Sequence, residues 1–291
     1  MSRTKANLLL LWISVFWGST FTMVKGALET IGPSTFIAHR FTVATLMFLV
    51  LLFVLGRWRR PTFYEWKAGT IIGIANGLGF LFQTIGLQYT SAGKAGFITG
   101  LYIIFVPLFS APLLGQRVVP FQWLGVLVAT LGLGALSMNA EWGFSSGDLW
   151  VMGCAVLFAF QVLAVSRYAP NQDPAILTFV QFVVVAAIAW LPALATEGLP
   201  ASQPLSTWGV ILFTAVFATV IAFFIQMLAQ PHTSATAAAL IMALEAVFAA
   251  IGGWVWASEQ LNSRELLGCA LMLTGMVLVE LKGILWQKSV V

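Results

Sequence analysis

The chain of 291 residues contains very few charged side chains. Lys, Arg, Asp and Glu make up 8% of it, whereas hydrophobic residues make up 60% and the mean hydropathy is +0.95. A soluble domain carries about 25% charged residues, so this chain cannot cover a surface that faces water. The composition therefore excludes a soluble protein and predicts an all-α protein that crosses a membrane several times.

Cysteine, histidine and catalytic motifs are also scarce. The two cysteines, Cys154 and Cys269, lie in apolar segments, which is typical of buried small side chains and provides neither a disulfide framework nor a metal site. His39 and His232 lie far apart, and the chain contains no metalloprotease, hydrolase or phosphate-loop motif. We therefore predict that the protein is not an enzyme and needs no metal or cofactor. No run of charges suggests a nucleic-acid partner.

Apolar segments recur along the whole chain, each near the ~20 residues that cross a bilayer. Short connections with Gly and Pro separate them, such as Gly32-Pro33 and Arg60-Pro61. The sequence therefore predicts ten transmembrane helices, at residues 7–28, 34–55, 68–89, 93–114, 119–138, 147–167, 175–195, 205–230, 234–257 and 264–285.

The sequence repeats itself: residues 83–136 match residues 226–279 without a gap. The matched pairs, each 143 positions apart, include Gln83 with Gln226, Ser91 with Ser234, Tyr102 with Glu245, Gly125 with Gly268 and Gly132 with Gly275. Nearer the N-terminus, Pro33 and Phe41 match Pro174 and Phe182 at an offset of 141. This pattern indicates an internal duplication.

The duplication and the span count together predict the architecture. Each half would contain five helices, and because five is odd the second half begins on the opposite face of the membrane. The prediction is therefore ten transmembrane helices as two inverted five-helix repeats, residues 1–140 with helices 1 to 5 and residues 141–291 with helices 6 to 10. Inverted repeats around a midplane site are a frequent construction of secondary transporters.

The basic residues predict the orientation in the membrane. With ten spans, one side holds Arg3, Lys5, Arg57, Arg59, Arg60, Lys67, Arg117, Arg167, Lys282 and Lys288. The other side holds Lys25, Lys94 and Arg264, all at helix ends. Lys and Arg concentrate in cytoplasmic loops, so both termini are predicted to be cytoplasmic.

Two motifs resemble the EamA family of the drug/metabolite transporter superfamily. The first is Trp17-Gly18-Ser19-Thr20-Phe21 with Lys25, Pro33 and Arg40-Phe41, and the second is Leu244-Glu245-Ala246-Val247-Phe248 with Glu259 and Gly268. Gln116 stands where the first repeat of the family usually has Glu, and Ser258 where the second usually has Gly. Ala246 stands where Pro is usual, and we expect this change to stiffen the ninth helix.

The resemblance implies a function as well as a fold. It implies a ten-helix secondary transporter of a bacterial inner membrane that exports small metabolites, with amino acids as the leading class, by alternating access around a central cavity. Its partners would be a small-molecule substrate and the lipid bilayer. The residues leave open an uptake carrier or cationic drug efflux, and, in other classes, an intramembrane enzyme or a structural membrane subunit.

Polar and aromatic residues inside the predicted helices are candidates for the wall of that cavity. Asn76, Phe80 and Gln83 are spaced i, i+4 and i+7, so they share one helix face. Amide and hydroxyl groups among aromatic rings suit a small amphipathic solute. The predicted substrate-binding set is Trp17, Thr20, Asn76, Phe80, Gln83, Thr99, Tyr102, Phe158, Gln161, Gln226, Met242 and Glu245.

Three charged residues within or at the ends of spans have two interpretations each. A charge near the bilayer centre costs at least ~2.5 kcal/mol, so a persistent one needs a reason. Glu245 either contacts a cationic group of the substrate or carries a coupling proton, or it is a structural acid bonded to a neighbouring Ser, Thr or Trp. Arg40 either serves transport or is a structural charge that snorkels to the membrane face or pairs with Glu29. Lys25, at the end of helix 1, has the same two interpretations as a functional or structural charge.

Overall fold

The structure is a computed structural model that describes residues 1–116, 118–137, 145–198, 202–256 and 262–287. These ranges contain helices and connecting turns, without a β-strand. The α-helices are α1 (Arg3–Gly18), α2 (Thr20–Ala27), α3 (Pro33–Val54), α4 (Phe63–Leu87), α5 (Ala92–Gly100), α6 (Tyr102–Leu114), α7 (Pro120–Ser137), α8 (Ser146–Tyr168), α9 (Pro174–Pro192), α10 (Leu205–Ala215), α11 (Ala222–Ala229), α12 (Ala235–Met242), α13 (Glu245–Trp256) and α14 (Ser263–Gln287).

Within the described residues, seven helical segments are long and apolar enough to cross a membrane, which confirms a multi-pass membrane protein. They are Arg3–Ala27, Pro33–Val54, Phe63–Leu87, Ala92–Leu114, Ser146–Tyr168, Pro174–Glu197 and Leu205–His232. The other three predicted spans fall on the shorter apolar helices Pro120–Leu136 and Ala235–Ile251 and on α14. The count of ten spans stays a prediction, and residues 138, 140, 141 and 257, where predicted spans or repeats end or begin, lie outside the described residues.

Helix starts follow local sequence signals that recur in the two halves. Pro33 and Pro174 are the first residues of α3 and α9, a position where the missing N–H leaves no hydrogen bond unmade. Ser91 and Ser234 cap α5 and α12, and each hydroxyl oxygen accepts from the backbone N–H three residues later, at 3.3 and 3.2 Å. Both pairs were matched in the sequence, so equivalent residues begin equivalent helices.

Several apolar segments are interrupted near their middle, and two of these interruptions fall at matched positions. A turn at Leu101 separates α5 from α6, and a turn at Ala243 and Leu244 separates α12 from α13. Leu101 and Leu244 are 143 positions apart, so the breaks fall at matched positions. The expectation that Ala246 stiffens the ninth helix is wrong, because the helix is interrupted just before it.

A π-helical segment, Val216–Ile221, joins α10 to α11. In this segment the hydroxyl of Thr219 donates to the carbonyl oxygen of Thr214 at 2.9 Å. A π-helical turn inside an α-helix displaces backbone carbonyl groups from the regular ladder, and such turns are frequent at functional sites. Carbonyl groups of this segment are therefore available to side chains of neighbouring helices.

Glycines allow α7 and α14 to pack closely together. A Cβ at Gly132 would lie 2.7 Å from the carbonyl oxygen of Gly268, and a Cβ at Gly125 would lie 2.8 Å from the carbonyl oxygen of Gly275. Small residues at such crossings let membrane helices approach to backbone contact. No described side chain of either helix lines the cavity described below, so this pair supports the fold.

The central helix α4 packs against α8 and α9. A Cβ at Gly73 would lie 2.8 Å from Cβ of Val184 on α9, and a Cβ at Gly79 would lie 2.6 Å from the ring of Phe158 on α8. The glycine-rich face of α4 therefore brings the helix close to both neighbours, and this contact positions Asn76, Phe80 and Gln83 at the centre of the molecule.

Candidate functional site

A cavity of about 60 Å³ lies between the helices, and all twelve residues of the predicted substrate-binding set line it. A volume of about 10–15 Å³ holds one water molecule, so the cavity accommodates several waters or a small part of a solute. Trp17 lies on α1 and Thr20 on α2, while Asn76, Phe80 and Gln83 lie on α4. The remaining predicted residues are Thr99 on α5, Tyr102 on α6, Phe158 and Gln161 on α8, Gln226 on α11, Met242 on α12 and Glu245 on α13.

Aromatic rings form one wall of the cavity. The ring of Phe80 contacts the rings of Phe158 and Phe223, with centroids 5.2 and 5.9 Å apart, in edge-to-face geometry. Trp17 contacts Phe223 at 5.4 Å. Rings in such arrangements are held firmly, so this wall is a preformed apolar surface.

Several polar groups around the cavity have no partner in the part of the chain that the structure describes. Asn76 is 1% exposed, and neither its amide oxygen nor its amide nitrogen makes a hydrogen bond. The hydroxyl of Tyr102, which is 4% exposed, is also unpartnered. Leaving a buried polar group unpaired costs about 1–3 kcal/mol, so these groups indicate a site that water or a solute completes.

Glu245 is the first residue of α13, directly after the break in the helical segment. It is 6% exposed, and its carboxylate makes no hydrogen bond or ion pair with the residues that the structure describes. The structure therefore gives no support to the interpretation of a structural acid bonded to Ser, Thr or Trp. The N-terminus of α13 favours a negative charge at this position.

Arg40, on α3, lines the same cavity and is 3% exposed. Its Nε donates to the hydroxyl of Thr219 at 2.7 Å, and its Nη2 donates to the carbonyl oxygen of Ala218 at 3.1 Å. The guanidinium carbon lies 4.8 Å from the centroid of the Phe80 ring. The interpretation that Arg40 snorkels to the membrane face or pairs with Glu29 is wrong, because its buried guanidinium is held in the interior by Thr219 and Ala218 of the π-helical segment.

Lys25 does not line the cavity. Its Nζ donates to the carbonyl oxygen of Thr90 at 2.5 Å, which ties the end of α2 to the turn before α5. Close by in the chain, Lys94 forms an ion pair with Asp148 at 2.5 Å, and the Thr90 hydroxyl donates to the same carboxylate at 2.8 Å. These contacts favour the structural interpretation of Lys25, as one of several polar links at this end of the molecule.

The glutamines of the predicted set bind one another or a neighbouring hydroxyl. Gln83 donates to the hydroxyl of Thr99 at 3.1 Å. Gln161 and Gln226 exchange two amide hydrogen bonds, at 3.1 and 3.2 Å, and Gln226 also donates to Gln230 at 2.8 Å. This buried chain of amides joins α8 to α11 at one end of the cavity.

The cavity also includes residues that the sequence analysis missed. They are Phe21, Val24, Arg40, Thr84, Leu87, Val162 and Phe223. Among them, Arg40 was singled out in the sequence as a charged residue within a span but not as part of the cavity wall. Helical spacing could have identified some of them, because Thr84 and Leu87 continue the face of Asn76, Phe80 and Gln83 along α4. Apolar Val24, Val162 and Phe223 carry no signal of their own in a chain with this composition.

A polar, aromatic-walled cavity enclosed by apolar helices of membrane length is typical of a membrane transport protein. The chain belongs to the EamA-like transporter family, whose profile matches residues 4–138 and again residues 145–281. The family resemblance seen in the motifs is thereby confirmed, and the protein is a membrane transporter of this type.

Relatives cover almost the whole chain. An uncharacterized transporter of Archaeoglobus fulgidus is 34% identical over 283 residues, which are 97% of this chain and 88% of the relative. The WAT1-related protein At3g02690, chloroplastic, of Arabidopsis thaliana is 26% identical and covers 91% of this chain and 67% of its own length. A crystal structure of a protein 22% identical superposes with a TM-score of 0.82, covering 96% of this chain and 99% of that one, and so shares the fold.

Proposed function

We propose that the protein is a secondary transporter that exports small metabolites, with amino acids as the leading class, by alternating access around the central cavity. The observation that carries the proposal is a buried set of polar groups, Asn76, Tyr102 and Glu245, that make no side-chain hydrogen bond with the described residues and lie beside an aromatic wall. Amides, hydroxyls and charges beside rings suit a small solute that is polar at one end and apolar at the other. The direction of transport is proposed from the family resemblance.

The proposed scaffold is ten spans in two inverted repeats, residues 1–140 and 141–291. Support comes from the helix breaks 143 positions apart and from the two matches of one family profile. The glycines of α7 and α14 add to it. A two-fold axis that relates Gly125 to Gly268 and Gly132 to Gly275 converts the contact between Gly125 and Gly275 into the contact between Gly132 and Gly268, and both contacts are present.

The proposed topology agrees with contacts between loops. Arg59, in the turn after α3, lies 3.9 Å from Asp173, in the turn after α8, and both turns are predicted to be cytoplasmic. Thr30, after α2, and Thr207, at the start of α10, share a hydrogen bond of 2.7 Å, and both are predicted to be external. Each contact therefore joins segments that the proposal assigns to the same side of the membrane. In this topology both termini are cytoplasmic, and the membrane is the plasma membrane.

Alternating access requires that the two ends of the cavity open in turn. On the proposed cytoplasmic side, the Ser14 hydroxyl donates to the carbonyl oxygen of Ile241 at 2.7 Å, and the residues of α12 are buried. On the proposed external side, Lys25 donates to the carbonyl oxygen of Thr90, and Lys94 forms an ion pair with Asp148. The half-helices on either side of the two breaks provide joints at which these ends could move separately.

Flux through the cavity tests the proposal. In a background with Cys154→Ala and Cys269→Ala, Gln83→Cys places a thiol in the cavity, and Gln88→Cys places one at the exposed end of the same helix. Proteoliposomes loaded with a mixture of small metabolites that includes the standard amino acids should release a subset of them. A bulky thiol reagent should block release from the Gln83 variant and leave the Gln88 variant active. Absence of protein-dependent release, or release that labelling at Gln83 does not change, would contradict the proposal.

A further inference from the structure

The guanidinium of Arg40 is a buried cation whose bonds go to neutral groups. Its two hydrogen-bond acceptors, the hydroxyl of Thr219 and the carbonyl oxygen of Ala218, belong to the π-helical segment Val216–Ile221. The indole N–H of Trp17 donates to the same carbonyl oxygen at 3.0 Å. The π-helical turn thus provides the acceptors that orient Arg40, but it supplies no negative charge to balance it.

Several carboxylates of the described chain are bound elsewhere. Glu65 accepts from Arg59, Asp148 pairs with Lys94, and Glu197 accepts from the backbone at the start of α3. Glu245 lines the same cavity as Arg40 but forms no ion pair with it. A buried charge is expensive unless an opposite charge accompanies it, and no carboxylate of the described residues forms an ion pair with Arg40. An anion that enters the cavity would supply that opposite charge.

The surroundings of Arg40 favour an anion that enters from the cavity. Its guanidinium lies beside the Phe80 ring, and Asn76 is one helical turn from Phe80 on the same face of α4. The Asn76 amide is buried and has no hydrogen-bond partner among the described residues, so it has N–H groups to donate. A guanidinium and an amide donor match the planar geometry of a carboxylate, which prefers Arg for paired hydrogen bonds.

We propose that Arg40 and Asn76 form a subsite for the carboxylate of the transported solute, and that Glu245 and Tyr102 receive its cationic group. This inference rests on the proposed transport function and narrows the substrate to solutes that carry a carboxylate. Among the described residues that line the cavity, Arg40 is the basic one and Glu245 the acidic one; they form no ion pair with each other, and a zwitterion bound between them would provide each with an opposite charge. The aromatic wall contacts the apolar part of the solute.

The test compares each standard amino acid with its amide, which keeps the ammonium group and side chain but lacks the carboxylate. Binding to the purified full-length chain is measured by titration. At least one amino acid should bind at least tenfold more tightly than its amide. In Arg40→Gln its affinity should fall at least tenfold, to the level of the amide, whereas the affinity of the amide should change less than threefold.

Thr45→Val is the matched control for a purely structural effect on α3. Thr45 lies on the same helix as Arg40 but does not line the cavity, and its hydroxyl donates to the carbonyl oxygen of Phe41 at 2.6 Å, so the preference for the acid over the amide should persist when it is replaced. A variant of Arg40 that loses stability but keeps this preference would overturn the inference.

Equal binding of acids and amides by the wild-type chain would also overturn it, and this comparison needs no variant. So would failure of every amino acid to bind. Metabolite release from proteoliposomes separates a failure of the Arg40 subsite from a failure of the proposed transport function. Release without discrimination between acids and amides rejects the Arg40 subsite alone, whereas absence of any release rejects the proposed transport function as well.

Discussion

Replacing Glu245 by Gln separates the functional from the structural interpretation of the acid at the cavity. The substitution preserves size and removes the charge. Because the carboxylate makes no hydrogen bond or ion pair with the residues that the structure describes, no internal bond is lost. Burial of a neutral amide costs less than burial of a carboxylate, which outweighs the ~0.3–1 kcal/mol that a helix N-terminus gives to an acid. We expect the thermal unfolding temperature to stay equal or rise.

Transport should respond in the opposite direction. A hydrogen bond between a carboxylate and a substrate ammonium contributes about 1.5–3 kcal/mol, and losing it lowers affinity by roughly 10- to 150-fold. Counterflow in proteoliposomes at substrate concentrations below saturation should therefore fall at least tenfold. If the remaining flux no longer depends on pH, Glu245 carries the coupling proton. If affinity falls and the pH dependence persists, Glu245 is a substrate contact.

Glu265→Gln is the matched control for this experiment. Glu265 accepts from the backbone N–H of Asn262 at 2.8 Å in an exposed cap of α14, away from the cavity. Its replacement should leave flux unchanged. Normal transport by Glu245→Gln would refute our reasoning about the site, and a clear loss of thermal stability would show that Glu245 has a structural partner.

Two further predictions concern the scaffold. Gly132→Ala should lower the free energy of unfolding by about 1–3 kcal/mol, because the new methyl group would lie 2.7 Å from the carbonyl oxygen of Gly268. At Gly96 the added methyl group would have no neighbouring atom within 4 Å, so Gly96→Ala should be neutral or stabilising by about 0.5–1 kcal/mol. Thermal unfolding in detergent compares the two variants. Reporters inserted at Arg59 and at Gly198 should be cytoplasmic and external, respectively; the same location for both would contradict the predicted topology.

The cavity was predictable from the sequence because two independent patterns agree on it. Spacing on one helix face selected Asn76, Phe80 and Gln83, and the offset of 143 added Gln226 and Glu245 from the other half. Polar side chains are conspicuous in a chain of this composition, so the few that lie mid-helix carry much of the information. Apolar wall residues such as Phe223 are indistinguishable from lipid-facing and packing residues, and they were missed.

The environment of Arg40 could not be predicted in the same way. Its depth along α3 is compatible with snorkelling, and only the position of the neighbouring segment decides the outcome. That segment, Val216–Ile221, has a sequence that an ordinary α-helix would also accept, so its π-helical form depends on tertiary packing. The break before Glu245 was likewise unexpected, since the absence of Pro at Ala246 suggested a continuous helix.

The proposed symmetry and the chemistry of the site have different consequences for transport. At matched positions the two halves carry different groups: Tyr102 corresponds to Glu245 at the offset of 143, and Arg40 corresponds to Gln181 at the offset of 141. Similar half-structures allow two open states of similar energy, because exchanging the halves exchanges the states. The charges do not exchange, since Arg40 and Glu245 stay on their own helices. A zwitterion bound between them would therefore keep one orientation relative to the protein while access changes from one side to the other.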